Sequence, residues 1–391
     1  MSTLSVTTIS TANGTTNLTL TTGNTSGPAI VVGANGSFTY SNVSSFSVGS
    51  NVVVNTSAIF VGNSTVNTTV SNGNLIINGN NVSPVQSFRN KFINGNFDHW
   101  QRGTSNTSIA NGQYLADRWT NSRVGTTANI SRQSFTLGQT DVPGEPTYFQ
   151  RTVTTSSAGA GNYFLLSQPV ESVRTLAGQT ATLSFWAKAD ASKNIAVEFP
   201  QNFGTGGSPS TQVNTFGATC ALTTSWQKFT VTVNIPSISG KTLGSDNNDF
   251  LGIYFWFDAG SNFNSRTNSL GQQSGTFDIA QVQLEAGSVA TPFEIRPLGV
   301  ELSLCQRYYQ RIPVNAYATS STFSSYSPDY YYPMTLINQM RATPTYSRIN
   351  ISDSGVSSGI ASGTSSGFSV IMELTSAYGQ TTFTAVADAE L

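Results

Sequence analysis

Every position from Ser2 to Phe88 is uncharged, and Arg89 carries the first charged side chain. The stretch is built mostly of Ser, Thr, Asn, Gly and Val. It offers too little apolar surface for a core within one chain. Its short polar side chains compete for backbone hydrogen bonds and so disfavour helix. Brief β-prone runs remain: Val52-Val53-Val54, Phe60-Val61 and Leu75-Ile76-Ile77. They are punctuated by Asn72-Gly73 and Asn78-Gly79, the dipeptides of tight hairpin turns. A loose repeat accompanies them, at Val32-Gly33, Val48-Gly49, Val61-Gly62 and Ile77-Asn78-Gly79. A disordered polar linker would share this composition. The recurring β-branched runs instead favour an intertwined trimeric β-stalk over 1–87, each chain lending strands to a shared axial core.

Across all 391 residues only 9% are charged and the net charge is -1, so no nucleic-acid partner is expected. No apolar run approaches the length of a membrane span, so no membrane insertion is expected. The opening MSTLSVTTIS has neither the basic nor the apolar region of a secretory signal. Two cysteines, Cys220 and Cys305, are too few for a disulfide framework and read as small buried residues. Extracellular composition without an export signal fits a virion protein, which assembles in the host cytoplasm and leaves by lysis.

The composition changes near Phe88. Residues 88–297 hold all five tryptophans and clean two-residue alternation: Leu183, Phe185, Ala187; then Phe229, Val231, Val233; then Ile253, Phe255, Phe257. Phe277, Ile279, Val282 and Leu284 describe a strand that changes phase midway. Gly, Pro and Asn clusters separate these runs, and the whole predicts a jelly-roll β-sandwich. Pro297 opens the one credible helix, predicted over 298–311 with Val300, Leu304 and Tyr308 on one stripe and Pro313 ending it. The rest of 298–391 is rich in Ser and Tyr and reads as a small C-terminal β-domain. The expected fold class is all-β throughout.

Two resemblances attach to particular residues. The order Asn94-Gly-Asn-Phe-Asp98, Leu183-Ser-Phe-Trp-Ala-Lys188, Trp226-Gln-Lys-Phe-Thr230 and Phe277-Asp-Ile-Ala-Gln-Val-Gln-Leu284 is similar to galactose-binding-like carbohydrate-binding modules. The strings INGNFDHWQRGTS, YLADRW, QLEAGSVATPFEIRP, ELSLCQRYYQR and MRATPT resemble bacteriophage tail-fibre and related virion proteins, over scattered blocks of 88–391. The second resemblance implies a homotrimeric fibre or appendage subunit. It would join other virion proteins through its N-terminal stalk and meet host-surface polysaccharide. The first implies a structural calcium tying first strand to last, with Asp98 and Asp278 at the matching positions. Without a metal, each Asp would cap a turn or accept backbone N–H bonds.

No catalytic centre is expected. The single histidine, His99, has no G-x-S-x-G nucleophile elbow to serve, and reads as an ordinary strand or turn residue. The thinly spread carboxylates leave a glycosidase pair open, but the middle domain lacks the rung periodicity of a parallel β-helix depolymerase. Sugar binding needs flat aromatic faces beside polar partners. Trp186 and Trp226 read as core. Trp100 and Trp119 lie in turn-rich segments, where packing anchors held through Asp117 and Arg118 compete with ligand stacking. Tyr330, Tyr331 and Tyr332 are the better receptor candidates, because consecutive residues on a strand face opposite sides. Three functions follow: a glycan-binding attachment fibre, a purely architectural head fibre or decoration protein, and a capsule depolymerase.

Overall fold

The computed structural model describes residues 88–320 and 329–391 in full and, between 45 and 81, the backbone of six short strands. Those strands are β1 (Ser45–Val48), β2 (Val52–Asn55), β3 (Ala58–Gly62), β4 (Asn67–Ser71), β5 (Asn74–Ile77) and β6 (Asn80–Asn81). Each pairs antiparallel with the next. Ser71 pairs with Asn74 and Ile77 with Asn80, the register that two-residue connections require. The turn dipeptides themselves, the Val32-Gly33 repeat and the trimeric axial core lie outside the described residues. The chain divides into two compact units, Met1–Gln86 and Ser87–Leu391.

The second unit opens with a β-sandwich. In chain order its strands are β7 (Ser105–Asn106), β8 (Gln113–Tyr114), β9 (Thr120–Val124), β10 (Thr127–Ser134), β11 (Tyr148–Thr155) and β12 (Tyr163–Glu171). There follow β13 (Thr180–Ala189), β14 (Lys193–Asn202), β15 (Val213–Leu222), β16 (Gln227–Asn234), β17 (Phe250–Ala259) and β18 (Gly275–Ala286). One sheet runs β16-β13-β18-β11-β10-β7 and the other β15-β14-β17-β12-β9-β8, all antiparallel. Among the described residues strands dominate and helix is short, so the all-β fold is as expected.

Alternation decides the core. Leu183, Phe185 and Ala187 face Ile253, Phe255 and Phe257 of the other sheet, and all six are fully buried. Phe185 meets Phe255 edge-on at 5.0 Å between ring centres. The phase change in β18 is a bulge. Ser184 pairs with Gln283 but Trp186 with Ala280, so β18 carries one extra residue, and Gln281 takes a positive φ of 47°. That extra residue is why Phe277 and Ile279 share the core face with Val282 and Leu284.

The segment before β7 is a knot of side-chain-to-backbone bonds. Asn94, buried and left-handed, donates from Nδ2 to the carbonyls of His99 and Asp117, at 2.9 and 3.0 Å. Its Oδ1 accepts from His99 N at 3.0 Å, and its carbonyl accepts from Trp119 Nε1, also at 3.0 Å. Gly95 passes so close to β18 that an added Cβ would stand 2.2 Å from the Val282 carbonyl oxygen.

The helix differs from expectation. It spans Leu298–Gln306, and β19 (Tyr309–Thr319) follows almost at once, with Pro313 inside that strand. Ile312, Val314, Ala316 and Ala318 alternate into a second core, a two-residue period that outweighs the helical spacing of Val300, Leu304 and Tyr308. Pro313 is tolerated because β19 is an edge strand, paired on one side with β24 (Tyr378–Asp388). Of the expected apolar stripe Val300 is exposed, Leu304 half-buried and Tyr308 buried just past the helix, while Glu301, Cys305 and Gln306 are the buried positions within it. The second core lies between the sheet β19-β24-β21 and the sheet β20-β23-β22. Here β20 is Asp329–Thr335, β21 Thr345–Ser354, β22 Val356–Gly363 and β23 Gly367–Leu374.

Candidate functional site

The phase of β17 that sends Ile253, Phe255 and Phe257 inward sends Tyr254 and Trp256 to the outer face of their sheet. Antiparallel pairing sets Leu165 opposite Trp256, Ser167 opposite Tyr254 and Pro169 opposite Gly252, and this ladder is the floor of a groove. Two hollows lie along it, of about 180 and 240 Å³. Ser122 and Tyr254 line both, so the two adjoin.

Aromatic rings crowd the first hollow. After β17 the chain makes a 3-10 turn and the short helix α1 (Asn264–Thr267), which fold Phe263 back over the sheet. Phe263 stands 5.1 Å from the Trp256 ring and 5.0 Å from that of Tyr163. Trp256 is itself enclosed, at 1% exposure, so it supports the site rather than offering a face. Tyr163, Tyr254 and Phe263 are half-buried and line the hollow.

One ion pair underlies this cluster. Glu198 of β14 is fully buried and accepts from Arg266 Nε at 2.7 Å, from Arg266 Nη2 at 2.9 Å and from Trp256 Nε1 at 2.9 Å. The guanidinium lies 5.0 Å from the centre of the Trp256 ring. Its charge is matched by Glu198, and no other charged side chain lines either hollow. The first hollow is therefore aromatic and polar with no net charge. Burial pushes the Tyr254 phenol up to about 12, so it stays a hydroxyl donor at neutral pH. Burial likewise raises Tyr163.

The second hollow runs past Ser167 and Pro169 to Phe250, with Tyr114, Thr120 and Leu391 at its sides. Here the end of the chain folds back on the sandwich. Tyr114 OH donates to the Leu391 carbonyl at 2.9 Å, and Arg118 pairs with Glu390. Arg118 stacks on Tyr308 and Arg102 on Tyr309, each at 3.5 Å. Asp117 does not hold Arg118. It takes Gln101 Nε2 at 2.8 Å and lies 3.7 Å from Arg102.

The residues singled out from sequence lie elsewhere. Trp119 is fully enclosed among Phe92, Phe97 and Phe255, and Trp100 is 7% exposed with its Nε1 bonded to the Phe97 carbonyl. Both rings are packing anchors with no face left for a ligand. Trp186 and Trp226, read as core, are only half-buried; Trp226 packs against Phe135 and Phe149 outside the sandwich interior. Tyr330 and Tyr332 turn inward and donate to the Thr319 and Tyr317 carbonyls of β19, at 3.0 and 2.6 Å. Tyr331 faces out, 59% exposed. Residues 321–328, with Tyr326, lie outside the described residues.

Asp98 and Asp278 do not make one donor set. Both Asp278 oxygens accept from Arg151, at 2.8 Å each, and Lys188 stands 3.9 Å away. Asp98 sits apart, half-buried beside Asn96, with burial raising its carboxyl. Two cations already match Asp278, so it does not fit a calcium. Among the described residues no group of three or more His, Cys, Asp or Glu is placed to hold a metal. Cys220 and Cys305 are buried free thiols, and burial raises Cys220 to about 11.

No family model and no curated protein matches the chain. Solved structures similar to it include carbohydrate-binding modules. A family 4 module is 19% identical, covering 50% of this chain and 98% of its own, with a TM-score of 0.29. A CBM22 xylan-binding domain from Paenibacillus barcinonensis is 17% identical, covering 45% and 94%, with a TM-score of 0.29. The enzymatically active domain of tailspike protein 4 of bacteriophage CBA120 is 13% identical, covering 46% and 21%, with a TM-score of 0.27. Likeness at these values carries no function across. What the groove can hold rests on its own residues.

Proposed function

We propose that the chain is a non-enzymatic phage virion subunit, a trimeric fibre or appendage, whose sandwich binds an uncharged host-surface glycan in the groove between Tyr163 and Tyr114. The observation that carries the glycan reading is the aromatic hollow built on a self-neutralised ion pair. Half-buried tyrosine and phenylalanine rings suit the C–H faces of sugars, and the tyrosine hydroxyls, Ser122 and Gln212 suit their hydroxyl groups. With Arg266 already matched by Glu198, nothing in the groove favours a carboxylated or sulfated sugar. The virion reading is supported by the sequence blocks around 93–105, 283–297 and 301–311 and by the uncharged N-terminal strands. In that reading the N-terminal unit joins other virion proteins, and assembly takes place in the host cytoplasm.

A glycan array probed with the full chain tests the proposal. Neutral glycans are expected to bind, and Tyr254→Ala to weaken them about tenfold, near 1.4 kcal/mol. Silence across the array would leave a purely architectural subunit. Release of oligosaccharides from host polysaccharide during incubation would make it a depolymerase.

A further inference from the structure

We infer that the groove takes the end of a glycan chain, or a short side branch, rather than the interior of a long polymer; this rests on the glycan reading above. The groove runs along the strands, following Leu165, Ser167 and Pro169, and it is walled at both ends. From Tyr163 to Pro169 it extends about 20 Å.

At the Tyr163 end the wall is the turn that carries Phe263. Gly260 N donates to the Asn162 carbonyl at 2.8 Å and Asn262 N to the Ala160 carbonyl at 3.0 Å, so the turn is tied to the start of β12. The two-point bond of Arg266 to Glu198 fixes its far side. At the other end, the next outward position after Pro169 is Glu171, which is already occupied. Its carboxylate accepts from Arg307 at 2.9 and 3.2 Å and from Tyr308 OH at 2.8 Å. Arg118, beneath Tyr308, donates to the Pro169 carbonyl at 2.6 Å. The start of the terminal domain therefore stands across the path that a longer chain would follow.

A linear polymer lying along the floor would have to pass through one of these walls. A chain end or a branch of a few sugars stops short of them. Between the walls the floor is closed beside Pro169, where Pro200 packs over Gly252 so tightly that a Cβ there would come within 2.8 Å of Pro200 Cγ.

The test uses the full chain and neutral linear glucan, galactan, mannan and xylan, each intact and as size-fractionated hydrolysates. Binding capacity per mass is expected to rise in proportion to the number of chain ends, and affinity to level off at a short oligomer. Phe263→Ala, which lowers one wall, is expected to shift the preference back toward intact polymer. Capacity unchanged by hydrolysis, with affinity still climbing at long chain lengths, would overturn end recognition while leaving glycan binding intact. Absence of binding to every polymer and fragment would remove the glycan reading itself, and this inference with it.

Discussion

Glu198 and Arg266 show how unequal the two halves of an ion pair are. Glu198 has no exposure, whereas the Arg266 side chain keeps 24%. Arg266→Gln strands a carboxylate where water cannot reach it, and is expected to cost about 3–5 kcal/mol. Glu198→Gln leaves a guanidinium that can turn toward solvent, and the expected cost is about 1–3 kcal/mol. Urea midpoints of the two variants check the order; equal losses would mean that solvent reaches both groups alike. Tyr254 makes a pH prediction. Its folded-state value, about 12, lies above the ordinary phenol value of 10.0. The unfolded chain therefore releases its proton first as pH rises. The stability held by the neutral phenol is complete below pH 10 and is lost as pH climbs toward 12. Denaturant midpoints for wild type and Tyr254→Phe are expected to diverge in that window, the variant falling less. Asn94 makes the same point about environment without a charge: its polar atoms are all partnered, so the INGNF string reads as a structural knot rather than a binding motif.

At the scale of elements, the helix Leu298–Gln306 is held by its polar face. Glu301 accepts from Asn94 N and pairs with Arg296 at 3.2 Å, while Leu298 is 63% exposed. Glu301→Ala is expected to cost about 1–3 kcal/mol, because it leaves the buried Asn94 N–H without its acceptor, while Arg296 keeps Glu294 and the Phe92 and Asn90 carbonyls. Leu298→Ala is expected to stay within about 0.5 kcal/mol. Thermal unfolding of both variants checks this; a larger loss from Leu298 would show that its apolar face is covered in the assembled protein. Sequence periodicity pointed at another face, since Val300 and Leu304 sit at helical spacing while Glu301 takes Asn94 N, 207 residues away. β20 shows a success of the same periodicity. Three successive tyrosines must alternate, and Tyr331 faces out while Tyr330 and Tyr332 turn their hydroxyls to the carbonyls of β19.

At the scale of the whole molecule, residues 87–391 hold two internal cores. A fragment covering 88–391 is therefore expected to be a folded monomer, and the full chain a trimer associated through 1–87. Light scattering on the two proteins distinguishes these outcomes, and a folded monomer of the full chain would sink the trimeric stalk. The docking of the terminal domain on the sandwich rests on Arg102 and Arg118, each stacked on a tyrosine and paired with Glu390.

Sequence by itself determined that the chain is strand-built, which face of β13, β16 and β17 turns inward, and that β18 must change phase at its middle. Those properties are local, because side-chain direction in a strand alternates whatever its neighbours are. The outward aromatics of β17 were legible in the same pattern, as the off-phase partners of Ile253, Phe255 and Phe257. That Tyr254 and Trp256 meet Tyr163, Phe263 and the Glu198–Arg266 pair was decided only by tertiary structure. So were the enclosure of Trp119 and the capture of Asp278 by Arg151. The physical reason is that the order of strands within a sheet brings together segments up to about 130 residues apart, and alternation carries no information about which strands become neighbours.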